Sequence, residues 1–384
     1  MTYWKRMPAE FYLLVLPSIL GFIIALFVGW DFFSSDLART GDFLRVGLFT
    51  GVLILSPILM VVLCYLLGKL LLYLSKNITL KVNTTSEQDD LIKLIKSIFL
   101  FLAIVWLSAL PFLLLMFFYT NNSQMGLIVK YSRQFMSWDM SIFSVYPGFW
   151  LNGLWSGLLF EKTIIMIYDY LVLALLSLFV FFLFFDKTLF RQFLISVLFV
   201  MIVSQPFWYL FPSVSPSWLY YRNSYKLSAS ERQLNPEIVG YRPNQFMIKK
   251  IDLLEKFWIG KKKNKFAVTN NPSMHMAWGV LIAYFLSKFW WPLVFLSVPL
   301  AFFNGLGAIY NLEHYGVDII SGFLVAILTI AIVEWLVRRE KKLGIEPKLI
   351  HHFVDVLQED FRKLIGFYKE LSSVCYRKLK GKKR

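Results

Sequence analysis

A bundle of α-helices that crosses a membrane several times is the fold class this sequence predicts, and three observations predict it. Hydrophobic residues make up 58% of the 384-residue chain, with Phe alone contributing 38 of them. Mean hydropathy is +0.59. Apolar runs of membrane-spanning length, about 20 residues, recur from end to end, and Lys and Arg collect in the loops between them. About eight spans are expected, over residues 11–33, 43–74, 97–119, 163–185, 189–211, 273–288, 289–311 and 314–337.

The first run follows Lys5 and Arg6. It is long for the apolar core of a signal peptide and has no small-residue cleavage site, so it is expected to remain as a helix. The second run is long enough to tilt or to project beyond the bilayer. Polar residues from Ser75 to Lys96 read as a soluble loop. The segment from Thr120 to Lys162 is rich in Trp, Tyr, Phe and Met and carries Lys130, Arg133 and Asp139. That composition suits helices lying at headgroup level, either shaping a lipid entrance or packing as an aromatic belt on the bundle.

Between Pro212 and Pro272 runs a long loop rich in Lys and Arg, opened by prolines that interrupt regular helix. Beyond the last span, Arg338, Arg339, Lys341 and Lys342 form a stop-transfer flank. Ile350, Phe353, Leu357, Phe361, Leu364, Tyr368 and Leu371 then recur at helical spacing. The tail is therefore expected to be an amphipathic helix on the membrane surface, or one that pairs with a partner and could make an oligomer. Three domains follow: residues 1–96 as extra transmembrane helices and loop, 97–337 as the membrane core, and 338–384 as a basic cytoplasmic tail. With an even number of spans and basic residues at both ends, the termini are expected in the cytoplasm.

Composition also excludes. The net charge of +16 sits in loops and tail, which suits anionic headgroups better than nucleic acid, and no nucleic-acid partner is expected. Two cysteines, Cys64 and Cys375, make no disulfide framework. No Cys/His cluster with zinc spacing and no Gly-rich phosphate loop occurs, so neither metal nor organic cofactor is expected.

Chemistry gathers in two strings, Asn271-Pro272-Ser273-Met274-His275 and Glu313-His314-Tyr315-Gly316-Val317-Asp318. The chain has four histidines, and two of them stand where these polar strings meet apolar runs. Ionisable groups at membrane depth are costly and point to function. His275 and His314 are separated by two crossings' worth of chain, which returns both to one face of the bilayer. His314 and Asp318, four apart at a helix start, are expected to share a face, so that the carboxylate orients the imidazole. His275 is expected in the first turn of its helix, with Pro272 at the first helical position. The N–H groups of that turn, with the Ser273 hydroxyl, make a natural anion site. Each string alone has an ordinary reading as a cap or structural hydrogen bond. Their joint occurrence favours one site in which two imidazoles flank a phosphate-sized anion. His351 and His352 read as solvated tail residues.

At these residues the chain resembles the type 2 phosphatidic acid phosphatase superfamily, whose signature is K-x6-R-P, then P-S-G-H, then S-R-x5-H-x3-D. It is more similar to the inositol phosphorylceramide synthase-like branch, where the second motif is Pro-Ser-x-His and the third His-Tyr-x-x-Asp followed by a small residue and Gly. Pro272-Ser273-Met274-His275 matches the second motif and His314-Tyr315-Gly316-Val317-Asp318, with Ser321-Gly322, the third. The resemblance covers roughly residues 190–337 and implies a six-helix phosphatase-like core. It implies that His314 attacks phosphorus, Asp318 orients it, His275 protonates the leaving group and Ser273 holds phosphoryl oxygens. Arg242-Pro243 keeps the R-P of the first motif, but Asn235 stands at the lysine position. Gly307 and Ala308 stand where the Ser-Arg pair would fall. With two cations missing, a singly charged phosphodiester is favoured over a monoester, and Arg222, Lys226 or Lys265 are candidates to replace them.

The expected function is an integral membrane phosphotransferase that moves a phospho-headgroup from a phospholipid donor to a hydroxyl-bearing lipid or polyol at the extracytoplasmic or lumenal face. One alternative is a lipid phosphate phosphatase acting on a phosphomonoester or pyrophosphate lipid. The other is a proton-coupled transporter with His275, His314 and Asp318 as its relay, against which no duplicated half-repeat is visible.

Overall fold

A computed structural model describes residues 7–9, 12–13, 125–155, 159–217, 219, 271–346, 355 and 358. Every regular element among them is helical. In chain order they are α1 Met125–Phe143, α2 Pro147–Trp155, α3 Leu159–Asp169, α4 Leu171–Phe185, α5 Lys187–Leu210, α6 Met274–Phe289, α7 Val294–Tyr310 and α8 Gly316–Leu343. The described part is all-α, and its apolar helices make the protein an integral membrane protein.

Local chemistry sets the boundaries. The Asp186 carboxylate accepts hydrogen bonds from Thr188 N and Leu189 N, both at 2.9 Å, and so separates α4 from α5. A single 3₁₀ turn, Trp291–Leu293, joins α6 to α7. Gly344 ends α8 at φ 63°, a left-handed conformation that glycine adopts without steric cost.

α6 lies at the centre, packed on α7, α8, α5 and α4, while α7 also meets α3 and α2, and α1 packs on α8. The main core gathers Phe182, Phe193, Leu281, Phe285, Ala326, Val333 and Leu336, all nearly or fully buried. α5 is enclosed over 83% of its apolar window, whereas the windows of α7 and α8 are 44% buried. The outward residues there, such as Trp291, Phe295, Phe302, Leu324 and Trp335, are large and apolar, as lipid contact requires.

Five of the eight expected spans, 163–185, 189–211, 273–288, 289–311 and 314–337, fall within the described residues, and there the expectation is corrected in part. Among the described residues, Lys187–Ser204, Trp291–Tyr310 and Gly316–Leu343 are long and apolar enough to cross a membrane. A fourth is added only if Phe160–Asp169 and Leu171–Phe185, bent by 51° at Tyr170, count as one broken span. α6 has 16 residues, about 24 Å of helix at roughly 1.5 Å each, which falls short of a hydrocarbon core of about 30 Å. The runs 43–74 and 97–119, and all of 11–33 except Tyr12 and Leu13, lie outside the described residues. Of the tail, Asp355 and Gln358 are described; Asp355 pairs with Lys187 at 2.8 Å and Gln358 Nε2 donates to Leu183 O at 2.6 Å.

The far end of the bundle is held by charge. Arg191 on α5 donates from both terminal nitrogens to Glu340 on α8, at 2.8 and 2.7 Å, with both side chains under 5% exposed. Glu340 also accepts from Ala9 N, and Ala9 and Leu13 pack into the core.

Candidate active site

Two polar turns meet at the opposite end of α8. The first precedes α6. Ser273, wholly buried, is the N-cap, and its hydroxyl accepts from Met276 N at 3.4 Å. Pro272 therefore lies before the cap, not at the first helical position that the sequence suggested, and His275 is the second residue of the helix. Its carbonyl accepts from Asn304 Nδ2 of α7 at 2.7 Å. Gly279 leaves room for that amide: a Cβ there would lie 3.1 Å from Asn304 Nδ2.

The second turn links α7 to α8. Asn311 N bonds to Gly307 O at 2.9 Å, and Glu313 N and His314 N both bond to Ala308 O, at 3.1 and 3.2 Å. Leu312 takes φ 53° and is buried against Phe135, Met136, Phe149 and Tyr315. A left-handed leucine is strained, and here packing holds it. His314 thus sits in the turn ahead of α8 and not on a helical face shared with Asp318, as the spacing alone suggested. The chain curls so that His314 Nδ1 lies 3.5 Å from Asp318 Oδ2. That distance allows an ion pair but the alignment is not that of a hydrogen bond, and both His314 Nδ1 and Asp318 Oδ1 lack one among the described residues. Such contacts tighten when substrate binds. Oδ2 meanwhile accepts from Tyr315 N at 3.0 Å, so Asp318 also caps its helix.

Backbone and small residues stitch the two turns together. Ser273 N donates to Asp318 O at 3.0 Å. Ser321 Oγ shares its one hydrogen between Asp318 O, at 2.9 Å, and Asn271 Oδ1. A Cβ at Gly322 would lie 2.3 Å from Ser273 O, so this crossing exists only with glycine there. The two imidazole rings come to 5.8 Å between centroids, at 62°. On its other side His275 stacks against Tyr168 of α3, at 4.2 Å and 23°.

Asp139 of α1 completes the surroundings. Its Oδ2 accepts from Gly316 N and its Oδ1 from Val317 N, both at 2.8 Å, which caps α8 from another helix. Burial pushes this carboxyl up to about 7, against the pull of those two N–H groups and with the neighbouring Asp318 adding to the rise. The loop after α5 closes one flank: Ser217 N donates to Leu312 O at 3.0 Å and Val214 N to Ser132 Oγ at 3.0 Å. A pocket of about 10 Å³, about the room one water needs, is lined by His314, Tyr315, Asp139, Gly148 and Pro216 among others.

The structure therefore brings His275, His314, Asp318 and Ser273 together. Arg222 and Arg242, with Lys226, Lys265 and Asn235, lie outside the described residues. Sequence reasoning did not single out Tyr168, Asn304, Asn271 or Asp139 as parts of the site. Asn271 stood in the first string without a role, and Asp139 left a signal as one of two acids, with Glu161, in an aromatic segment.

A family model described as the PAP2 superfamily matches residues 133–332, just over half of the chain. The match begins in α1, well before the stretch that the motifs cover. No curated protein and no solved structure matches.

Proposed function

The chain belongs to the PAP2 superfamily, and from that premise we propose that it is a lipid phosphotransferase of the inositol phosphorylceramide synthase-like kind. It moves a phospho-headgroup from a phospholipid donor to a hydroxyl acceptor through a phosphohistidine. One observation carries this reading: the His275 and His314 rings stand 5.8 Å apart with Asp318 behind His314. A phosphorus centre fits between groups so spaced.

With Nδ1 of His314 turned to Asp318, Nε2 is the attacking atom. Its lone pair forms the N–P bond, the P–O bond to the departing alcohol breaks, and that oxygen takes a proton from the His275 imidazolium. The products are a phosphohistidine that still carries the headgroup ester and the free lipid alcohol. In the second half, the acceptor hydroxyl gives its proton to His275 and attacks phosphorus. The N–P bond then breaks and His314 is restored. The Ser273 hydroxyl, whose oxygen caps α6, still has its proton to give to a phosphoryl oxygen. Arg222 and Arg242 are the cations assigned to the remaining charge. The steps call for no metal or organic cofactor.

With water as acceptor the same chemistry hydrolyses a lipid phosphate, so transfer and hydrolysis differ only in what reaches the second step. The preference for transfer rests on the missing cations at Asn235 and Ala308. Basic residues in the tail support cytoplasmic termini and an extracytoplasmic or lumenal site, within a core spanning 97–337.

The test is covalent. Incubation with a phospholipid labelled at phosphorus should mark the wild-type protein, the mark should be acid-labile, and His314→Ala should abolish it. Label that persists in His314→Ala refutes the nucleophile. His275→Ala should still take label from a donor with a good leaving group.

A further inference from the structure

Tyr168 is 6% exposed on α3, and its ring lies flat on His275. Its hydroxyl is 3.5 Å from His275 Nδ1. This contact is built in from the opposite helix. A Cβ at Gly307 of α7 would lie 2.9 Å from Ile164 O and 2.9 Å from Tyr168 Cβ, so α3 approaches closely enough only because residue 307 has no side chain. The departure of Gly307 from the resembled motif is thus the feature that delivers Tyr168. Asn304 fixes the backbone of His275 from the same helix α7, at 2.7 Å.

We propose that Tyr168 is a positioning residue for His275: it holds Nδ1–H toward its hydroxyl and commits Nε2 to carrying the mobile proton. The argument rests on the reading of His275 as proton donor given above. The phenolic oxygen, 3.5 Å from Nδ1, favours the tautomer with hydrogen on that nitrogen through a long polar contact, while the stacked ring stops the imidazole from turning over. Proton transfer to the leaving group then occurs at one nitrogen in one orientation. A histidine allowed to flip would present the wrong nitrogen for part of the time.

Two measurements test this. The first compares two phosphodiesters in detergent micelles: dioctyl phosphate, whose alkoxide needs protonation to leave, and octyl 4-nitrophenyl phosphate, whose phenolate does not. His275→Ala should lose about 100-fold or more on the dioctyl ester, the scale of general acid catalysis, and much less on the aryl ester. Tyr168→Phe, which keeps the stacked ring, should lose about tenfold on the dioctyl ester with the aryl ester nearly unchanged. Tyr168→Leu should lose more. Equal losses on both esters would make Tyr168 merely structural, and no loss on either would remove it from the mechanism.

The second measurement is the histidine ¹⁵N spectrum at alkaline pH, with the His275 signal identified by its absence from His275→Ala. The wild type should carry its hydrogen on Nδ1, and Tyr168→Phe should shift the population toward Nε2–H. An unchanged tautomer overturns the proposal. If wild type cleaves neither ester, or His275→Ala treats them alike, the reading of His275 has failed, and the tautomer spectrum by itself decides the contact with Tyr168.

Discussion

Asp139 caps the helix that carries Asp318, yet its carboxyl is buried and sits near that second acid, which raises it from 3.8 to about 7. The sign of its linkage follows. Between those values the folded state holds a proton that the unfolded chain has released, so stability is fully present below about pH 4 and falls as pH rises toward 7. The whole window is worth up to about 4 kcal/mol. Asp139→Asn removes the titration and keeps a carbonyl oxygen for one of the two N–H groups. In detergent, the difference in thermal midpoint between Asp139→Asn and wild type should move in favour of the variant from pH 4 to 7. A difference that stays constant across that range would show that Asp139 titrates as an ordinary carboxyl. Asp139→Ala should be worse than Asn at every pH, by about 1–3 kcal/mol, because Gly316 N and Val317 N are then buried without partners.

α6 and α8 meet over the small residues that follow the acidic motif, and that crossing decides whether the two histidines face each other. Gly322→Ala puts a methyl 2.3 Å from Ser273 O, a backbone atom that cannot turn aside. The helices must separate, which should cost about 1–3 kcal/mol and reduce phosphohistidine formation more than it reduces folding. Gly153→Ala on α2 is the control: a Cβ there meets nothing within 4 Å, the position is exposed, and helix propensity favours alanine by about 1 kcal/mol. Gly153→Ala should be neutral or slightly stabilising by thermal unfolding and should label normally. If both glycine variants behave alike, close packing at the α6–α8 crossing does not govern the site.

At the scale of the molecule, what the sequence made legible was what depends on local spacing. The two turns, their histidines and the helical class could be read because composition, capping residues and apolar periodicity encode them within a few residues. Among the described residues the expected spans differ at two places, the break at Tyr170 and the short α6, which a count of apolar residues along the chain does not register. Tyr168, Asn304 and Asp139 escaped for a related reason: each reaches the site from a helix remote in sequence, through a bond whose partner lies 29 to 178 residues away. The same holds for Arg191 and Glu340, which join α5 to the far end of α8 and, through Glu340, to Ala9. This buried pair is the last place where the architecture can be tested apart from the chemistry. Arg191→Met leaves a carboxylate without its cation and should cost about 3–5 kcal/mol, whereas the double change Arg191→Met with Glu340→Leu should recover much of that loss. Because α8 runs from this pair to His314 and Asp318 at its other end, protein that remains folded should label at His314 as wild type does. Thermal unfolding of the two variants, read beside phosphohistidine yield per folded molecule, separates the anchor from the active site. Label lost in proportion beyond unfolding would mean that the two ends of α8 are coupled.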